Sequence, residues 1–105
     1  MIDVYLHEDG EHYTGFHVEG HAGYADSGKD IVCSAVSALT ITLENALRKL
    51  SDVQLIEFRY VKDRSPHIFI YMPDDKTDLL VDMYRTGIEG IQEEYPDYVK
   101  LHLEI

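Results

Sequence analysis

One amphipathic stripe near the middle of the chain restricts the fold more than any other feature. Apolar residues recur at steps of three and four after Asp30, in the order Val32, Val36, Leu39, Leu43, Leu47 and Leu50. This spacing predicts a helix of about 20 residues with one buried face. Asp30 stands where an N-cap belongs, and Arg48 and Lys49 suit the negative end of the helix dipole. The rest of the chain therefore has to cover one long helical face.

Alternating apolar and polar residues predict that a β-sheet provides this cover. Ile2, Val4 and Leu6 alternate with polar neighbours, and Phe16 and Val18 repeat the pattern up to Gly20. Similar runs cover residues 53–61, 67–72 and 99–105, with a turn predicted at 62–66. One apolar face per strand is typical of antiparallel sheets that are covered on one side.

A second helix is predicted between Pro73-Asp74-Asp75 and Pro96. Its apolar stripe is Leu80, Tyr84, Ile88, Ile91 and Tyr95. Gly87 lies on the same side and is interpreted as allowing another backbone to approach closely. The predicted order is β-β-α-β-β-α-β, an α+β two-layer sandwich with a mostly antiparallel sheet and two helices on one face. No repeat or linker divides the chain, so we expect residues 1–105 to form a single domain.

Composition excludes several classes of function. No stretch approaches the apolar length of a membrane span, and no signal peptide is recognisable, so we expect a cytoplasmic protein without membrane contact. The formal net charge of -11 argues against direct nucleic-acid binding and favours basic protein or peptide partners. The same charge is also typical of a surface that only maintains solubility. A single cysteine permits no internal disulfide.

The segment GHAGYADSGKD at residues 20–30 is the longest irregular stretch and contains the candidate site residues His21 and Asp30. Cys33 would be the third residue of the first helix, where the positive end of the dipole favours a thiolate. It lies at the edge of the apolar stripe, in line with Ser37 and Glu44. A glycine-containing loop can bring His21 to this sulfur and form a Cys–His pair, with N–H groups of the helix start as an oxyanion hole.

The residues alone leave plainer interpretations open. A lone cysteine is often a small buried hydrophobe, and Asp30 fits an ordinary helix cap. Ser37 can bond near the thiolate or to its own helix. His7, His12 and His17 lie on two adjacent strands but show no fixed ligand spacing, so we expect no metal site. No phosphate-binding glycine loop occurs, and we expect no cofactor.

The run G-H-A-G-Y-A-D-S-G-K-D-I-V-C-S-A-V-S at residues 20–37 resembles the signature of the ribosomal-processing cysteine protease family, Prp. The similarity continues through the first helix at 39–47 and through residues 77–98, and it covers nearly the whole chain. The family's His-x11-Cys spacing is matched by His21 and Cys33.

This resemblance implies a cysteine endopeptidase with Cys33 as the nucleophile and His21 as its base. Gly20, Asp30 and Ser37 match positions that support the pair. The implied substrate is the N-terminal extension of the large-subunit ribosomal protein bL27, cut after hydrophobic or aromatic residues. The resemblance also implies a homodimer and a loop at 22–29 that orders on substrate.

One alternative belongs to a different functional class. A non-catalytic, acidic ribosome-assembly factor would hold a basic ribosomal protein, and Cys33 would then be structural. The thiol at a helix start beside a glycine loop that contains histidine favours the protease, because a pure binding module does not require it.

Overall fold

The elements follow the order that the sequence predicts. The computed structural model describes residues 1–20, 23, 30–59 and 66–105. In chain order they are β1 (Ile2–Glu8), β2 (Tyr13–Gly20), α1 (Ile31–Leu50), β3 (Gln54–Arg59), β4 (Pro66–Tyr71), α2 (Asp75–Glu94) and β5 (Val99–Glu104). The predicted turn between β3 and β4 lies almost wholly outside the described residues.

The five strands form one mixed sheet in the order β3-β4-β2-β1-β5. Three neighbouring pairs are antiparallel, as predicted for most of the sheet. The fourth pair, β1 with β5, is parallel and runs from Ile2 opposite Val99 to His7 opposite Glu104. The connection through α2 thus returns the chain to the far edge of the sheet, with β5 alongside β1.

Both helices pack on the same face of the sheet, and the core lies between the two layers. The sheet contributes mainly aliphatic side chains, namely Ile2, Val4, Leu6, Phe16, Ile68, Ile70 and Val99. The predicted stripe of α1 is buried at Val32, Val36, Leu43 and Leu47. Leu50 is an exception, since it is 61% exposed at the last residue of the helix, where the chain turns away.

The buried face of α2 is rotated slightly from the predicted stripe. Its fully buried positions are Thr77, Val81, Tyr84 and Ile88, and the predicted Leu80, Ile91 and Tyr95 lie at the flank, partly buried. A Cβ added at Gly87 would lie 2.9 Å from Leu39 Cδ1. The close approach predicted at Gly87 is therefore made by a side chain of α1 and not by another backbone.

By length and composition alone, α1 is apolar enough to cross a membrane, contrary to the sequence-based expectation. In the folded chain its stripe packs on the sheet and against α2, and 22% of the apolar stretch is buried.

Candidate active site

Asp30 caps the start of α1 and accepts hydrogen bonds from three amides of its first turn. Its Oδ1 accepts hydrogen bonds from the backbone N–H groups of Val32 and Cys33, each at 3.0 Å. Its carbonyl oxygen accepts from the Ser34 N–H at 3.1 Å. Asp30 is the N-cap, as predicted, and these three amides already have acceptors within the chain.

Cys33 is the third residue of α1 and half-buried against the core. It is the single cysteine of the chain. Its backbone N–H donates to Asp30 Oδ1 at 3.0 Å, which fixes the residue in the first turn of the helix. The sequence predicts that His21 serves as the base for this thiol.

An apolar groove of about 300 Å³ runs along α1 from Cys33. Its floor consists of strand residues of the core, Ile2, Phe16, Val18 and Ile68, and its wall consists of Cys33, Val36, Ser37, Thr40, Ile41 and Glu44. From Cys33 to Glu44 the helix rises roughly 16 Å at 1.5 Å per residue. That length accommodates about five residues of an extended peptide at 3.3 Å each.

Gly20 lies at the mouth of this groove and requires glycine for two reasons. Its φ is +83°, in the left-handed region, and an added Cβ would lie 2.3 Å from the Met1 carbonyl oxygen. Gly20 therefore determines where the chain leaves β2, one residue before His21. His21 itself, with residues 22 and 24–29, lies outside the described residues.

Ser37 shares the wall with Cys33, one turn further along α1, and is exposed to the groove. The sequence predicts Cys33, Ser37 and Glu44 on one helix edge, and the structure brings all three to the groove. Thr40 also lines the wall and is not among the predicted residues; its hydroxyl contacts the Val36 carbonyl at 2.7 Å and the Tyr84 hydroxyl at 2.8 Å. The helical spacing from Cys33 to Thr40 is the signal that would have found it.

Tyr84 supports this wall from α2. Burial raises the pKa of Tyr84 to about 12, so the phenol stays neutral and can hydrogen-bond with Thr40 across the range in which proteins are studied. This contact links the two helices behind the groove. Thr40 at the groove wall is therefore held by a contact between the two helices.

The fold and the groove together define a class: a small α+β protein with one thiol at the head of a groove of peptide size. The family model for the cysteine protease Prp matches residues 1–100 of this chain. The ribosomal processing cysteine protease Prp of Staphylococcus aureus is 27% identical over 104 residues, covering 96% of this chain and 95% of the relative. The protein of the same name from Bacillus subtilis is 24% identical over 98 residues, covering 86% and 85%.

A solved structure shows the same architecture. The S. aureus Prp protease in complex with a covalently linked product peptide superposes with a TM-score of 0.89 at 25% identity, covering 99% of this chain and all of the other. The chain belongs to the cysteine protease Prp family. It is therefore a cysteine protease, and the alternative of a non-catalytic assembly factor is not supported.

Proposed function

We propose that this chain is an endopeptidase in which Cys33 is the nucleophile and His21 is the general base. The observation that carries the proposal is the position of the only cysteine, at the start of a helix and at the head of an apolar groove. A thiol that lines this groove lies within reach of a peptide bound there. Gly20 and Asp30 support the pair, because one directs the chain toward His21 and the other caps the helix that carries Cys33.

The chemistry follows from these positions. His21 takes the thiol proton, and the Cys33 sulfur attacks the carbonyl carbon of the scissile peptide bond. The tetrahedral intermediate expels the amine, which receives the proton from the imidazolium and leaves a thioester on Cys33. Water, deprotonated by His21, then hydrolyses the thioester and releases the free carboxylate. Donors for the oxyanion come from groups other than the amides that Asp30 occupies.

The groove supports a preference for apolar substrate residues beside the cut. Its floor is made of aliphatic and aromatic side chains, whose contact with a substrate removes apolar surface from water on both sides. Ser37 and Thr40 supply hydroxyl groups along the wall. An extended segment with hydrophobic or aromatic residues before the scissile bond fits this lining best.

The proposed substrate is the N-terminal extension of ribosomal protein bL27. The proposal draws on the family resemblance, on relatives named as ribosomal processing proteases, and on the charge of -11, which attracts a basic ribosomal protein.

We further propose a cytoplasmic homodimer. Ribosomal proteins are made in the cytoplasm, and the exposed Leu79 and Met83, one turn apart on α2, offer apolar surface for self-association.

The test is to incubate the purified protein with a peptide that copies the N-terminal extension of the bL27 protein from the same organism. Mass spectrometry of the products should show one cut after a hydrophobic or aromatic residue. Cys33→Ala should reduce cleavage by about 10³-fold or more, since loss of a nucleophile removes the covalent route. Ser34→Ala, which changes an exposed hydroxyl one residue away, is the matched control and should cleave normally.

Two outcomes would overturn parts of this proposal. Cleavage that persists in Cys33→Ala would exclude Cys33 as the nucleophile. An intact bL27 peptide, together with cleavage of an unrelated apolar peptide that depends on Cys33, would retain the protease chemistry and exclude the proposed substrate. Sedimentation of the protein as a monomer at micromolar concentration would exclude the homodimer.

A further inference from the structure

The face of the sheet opposite the helices carries a ladder of stacked rings that the proposed protease chemistry does not use. His67 of β4 stacks on His17 of β2 with ring centroids 3.9 Å apart. His17 stacks on Tyr5 of β1 at 4.5 Å, and Tyr5 stacks on His102 of β5 at 4.5 Å. Interplanar angles along the ladder are 7–11°. Four strands therefore contribute one ring each to a continuous, well-ordered stack.

Strand register explains why one end of this ladder concentrates metal-binding side chains. Gly15 pairs with Phe69 and Phe16 with Ile68, so the next position places His17 opposite His67. Glu19 lies two residues beyond His17 and therefore on the same face of β2. His17 Nε2 is 3.3 Å from Glu19 Oε1. One ligand atom from each of His17, Glu19 and His67 lies within 4.8 Å of the other two.

A second row of contacts orients the His17 ring. His7 Nε2 lies 3.0 Å from His17 Nδ1, a hydrogen bond between two imidazoles. On its other side, His7 Nδ1 is 3.8 Å from Glu104 Oε2, an electrostatic contact. His17 is only 7% exposed, held between the rings of Tyr5 and His67. Its Nε2 has a defined direction, toward Glu19.

We propose that His17, Glu19 and His67 bind a divalent transition metal ion of the zinc class, with His7 as a positioning residue. Two imidazoles and one carboxylate form a known zinc ligand set, which leaves a fourth position for water. Imidazole ligands select such ions over Mg²⁺ or Ca²⁺. The stacked rings of His17 and His67 have to tilt so that their lone pairs converge on one ion.

The ion would join β2 to β4 just beyond the two residue pairs that connect these strands. It would also hold Glu19, which immediately precedes Gly20 at the mouth of the candidate active-site groove. The sequence predicted no metal site because His17 and His67 are 50 positions apart and meet only through the strand order.

Zinc binding tests the proposal directly. The protein is prepared as Cys33→Ala to exclude binding by the thiol, and Zn²⁺ is titrated in competition with a chromogenic zinc indicator. We expect one site per chain. Loss of a ligand in His67→Asn or Glu19→Gln should weaken it by about 100-fold or more, and loss of the ring that orients His17, in His7→Asn, by about tenfold. Asp78→Asn is the control, because Asp78 with His12 and Asp75 forms another acidic and histidine-containing group on a different surface.

Equal binding by Cys33→Ala and by its His67→Asn and Glu19→Gln derivatives would overturn the proposal. Loss of binding only in Asp78→Asn would do the same. So would the absence of binding at about 100 μM Zn²⁺, which is well above the dissociation constant expected for an ordered zinc site. Variants that fail to fold do not prevent a decision. In the Cys33→Ala protein, Zn²⁺ should shift the imidazole NMR signals of His17 and His67 and leave those of His12 unchanged. Unchanged signals from His17 and His67 would exclude the site.

Discussion

At the residue scale, the proposed mechanism divides the roles between the helix start that carries the Cys33 thiol and a base from another segment of the chain. At that helix start, the Val32 and Cys33 amides donate to the Asp30 carboxylate. The family pattern offers His21 as the base.

Alkylation rates test this division. With iodoacetamide at neutral pH, Cys33 should react about tenfold faster than free cysteine, because a paired base increases the thiolate population. His21→Ala should reduce the rate to that of the urea-unfolded protein, which serves as the reference for an unassisted thiol. A rate that is unchanged in His21→Ala would show that His21 does not activate Cys33.

Substitutions at Asp30 distinguish a helix cap from a catalytic carboxylate. Asp30→Ala should lower the free energy of unfolding by about 1–2 kcal/mol, the usual cost of losing a cap. Asp30→Asn keeps an oxygen acceptor and should retain both the stability and the cleavage rate within about threefold. Urea unfolding and peptide cleavage measure the two effects. A large loss of cleavage in a stable Asp30→Asn protein would instead indicate that the charge takes part in the reaction.

His12 provides a pH-dependent contact away from the groove. Its Nδ1 lies 2.6 Å from Asp78 Oδ2, and this hydrogen bond raises the pKa of His12 above its ordinary 6.5. A raised folded-state pKa stabilises the protein fully below pH 6.5, and the contribution disappears as the pH rises through the higher value. The difference in melting temperature between wild type and His12→Asn should therefore be largest near pH 6 and smaller at pH 9.

The matched background for this measurement is Asp78→Asn, in which His12 loses its carboxylate partner. In that background, the effect of His12→Asn should no longer decrease with pH. A wild-type difference that remains constant from pH 6 to pH 9 would contradict the assignment of the pKa shift to Asp78.

At the element scale, two glycines of α2 differ in what surrounds them. A Cβ at Gly90 meets nothing within 4 Å, whereas one at Gly87 approaches Leu39 Cδ1 at 2.9 Å. Gly90→Ala should raise the free energy of unfolding by about 0.5–1 kcal/mol, because alanine is the better helix former. Gly87→Ala should gain less, since Leu39 has to move. Urea unfolding of the two variants compares them, and an equal gain would mean that the helix contact tolerates a methyl group freely.

The elements were predictable from local pattern, and the contacts between them were not. Alternation identified β1, and the stripe of α1 gave four buried positions, because both patterns depend only on neighbours along the chain. Tyr84 at the groove wall and His67 opposite His17 depend on which strands and helices lie side by side. No periodicity within a single segment contains that information.

At the scale of the whole molecule, strand order makes both candidate sites. β2 lies between β4 and β1. Because successive side chains of a strand point to opposite faces, its residues alternate between the helix-covered face and the open face. Phe16 and Val18 form groove floor on one side, and His17 and Glu19 form the proposed metal site on the other. β5 pairs in parallel with β1 and forms the edge of the sheet on that side. A sequence with the same elements in another order would have neither site.

The overall charge leads to a last prediction, which separates encounter with a protein substrate from chemistry on a peptide. A chain of net charge -11 attracts a basic ribosomal protein over distances that salt screens. Raising the ionic strength from about 0.05 to 0.5 M should reduce kcat/KM for the whole bL27 precursor by about tenfold. A short uncharged peptide with the same cut site should change little, since its encounter gains nothing from the field. If kcat/KM for the precursor is unaffected by salt, the acidic surface contributes to solubility and not to substrate capture.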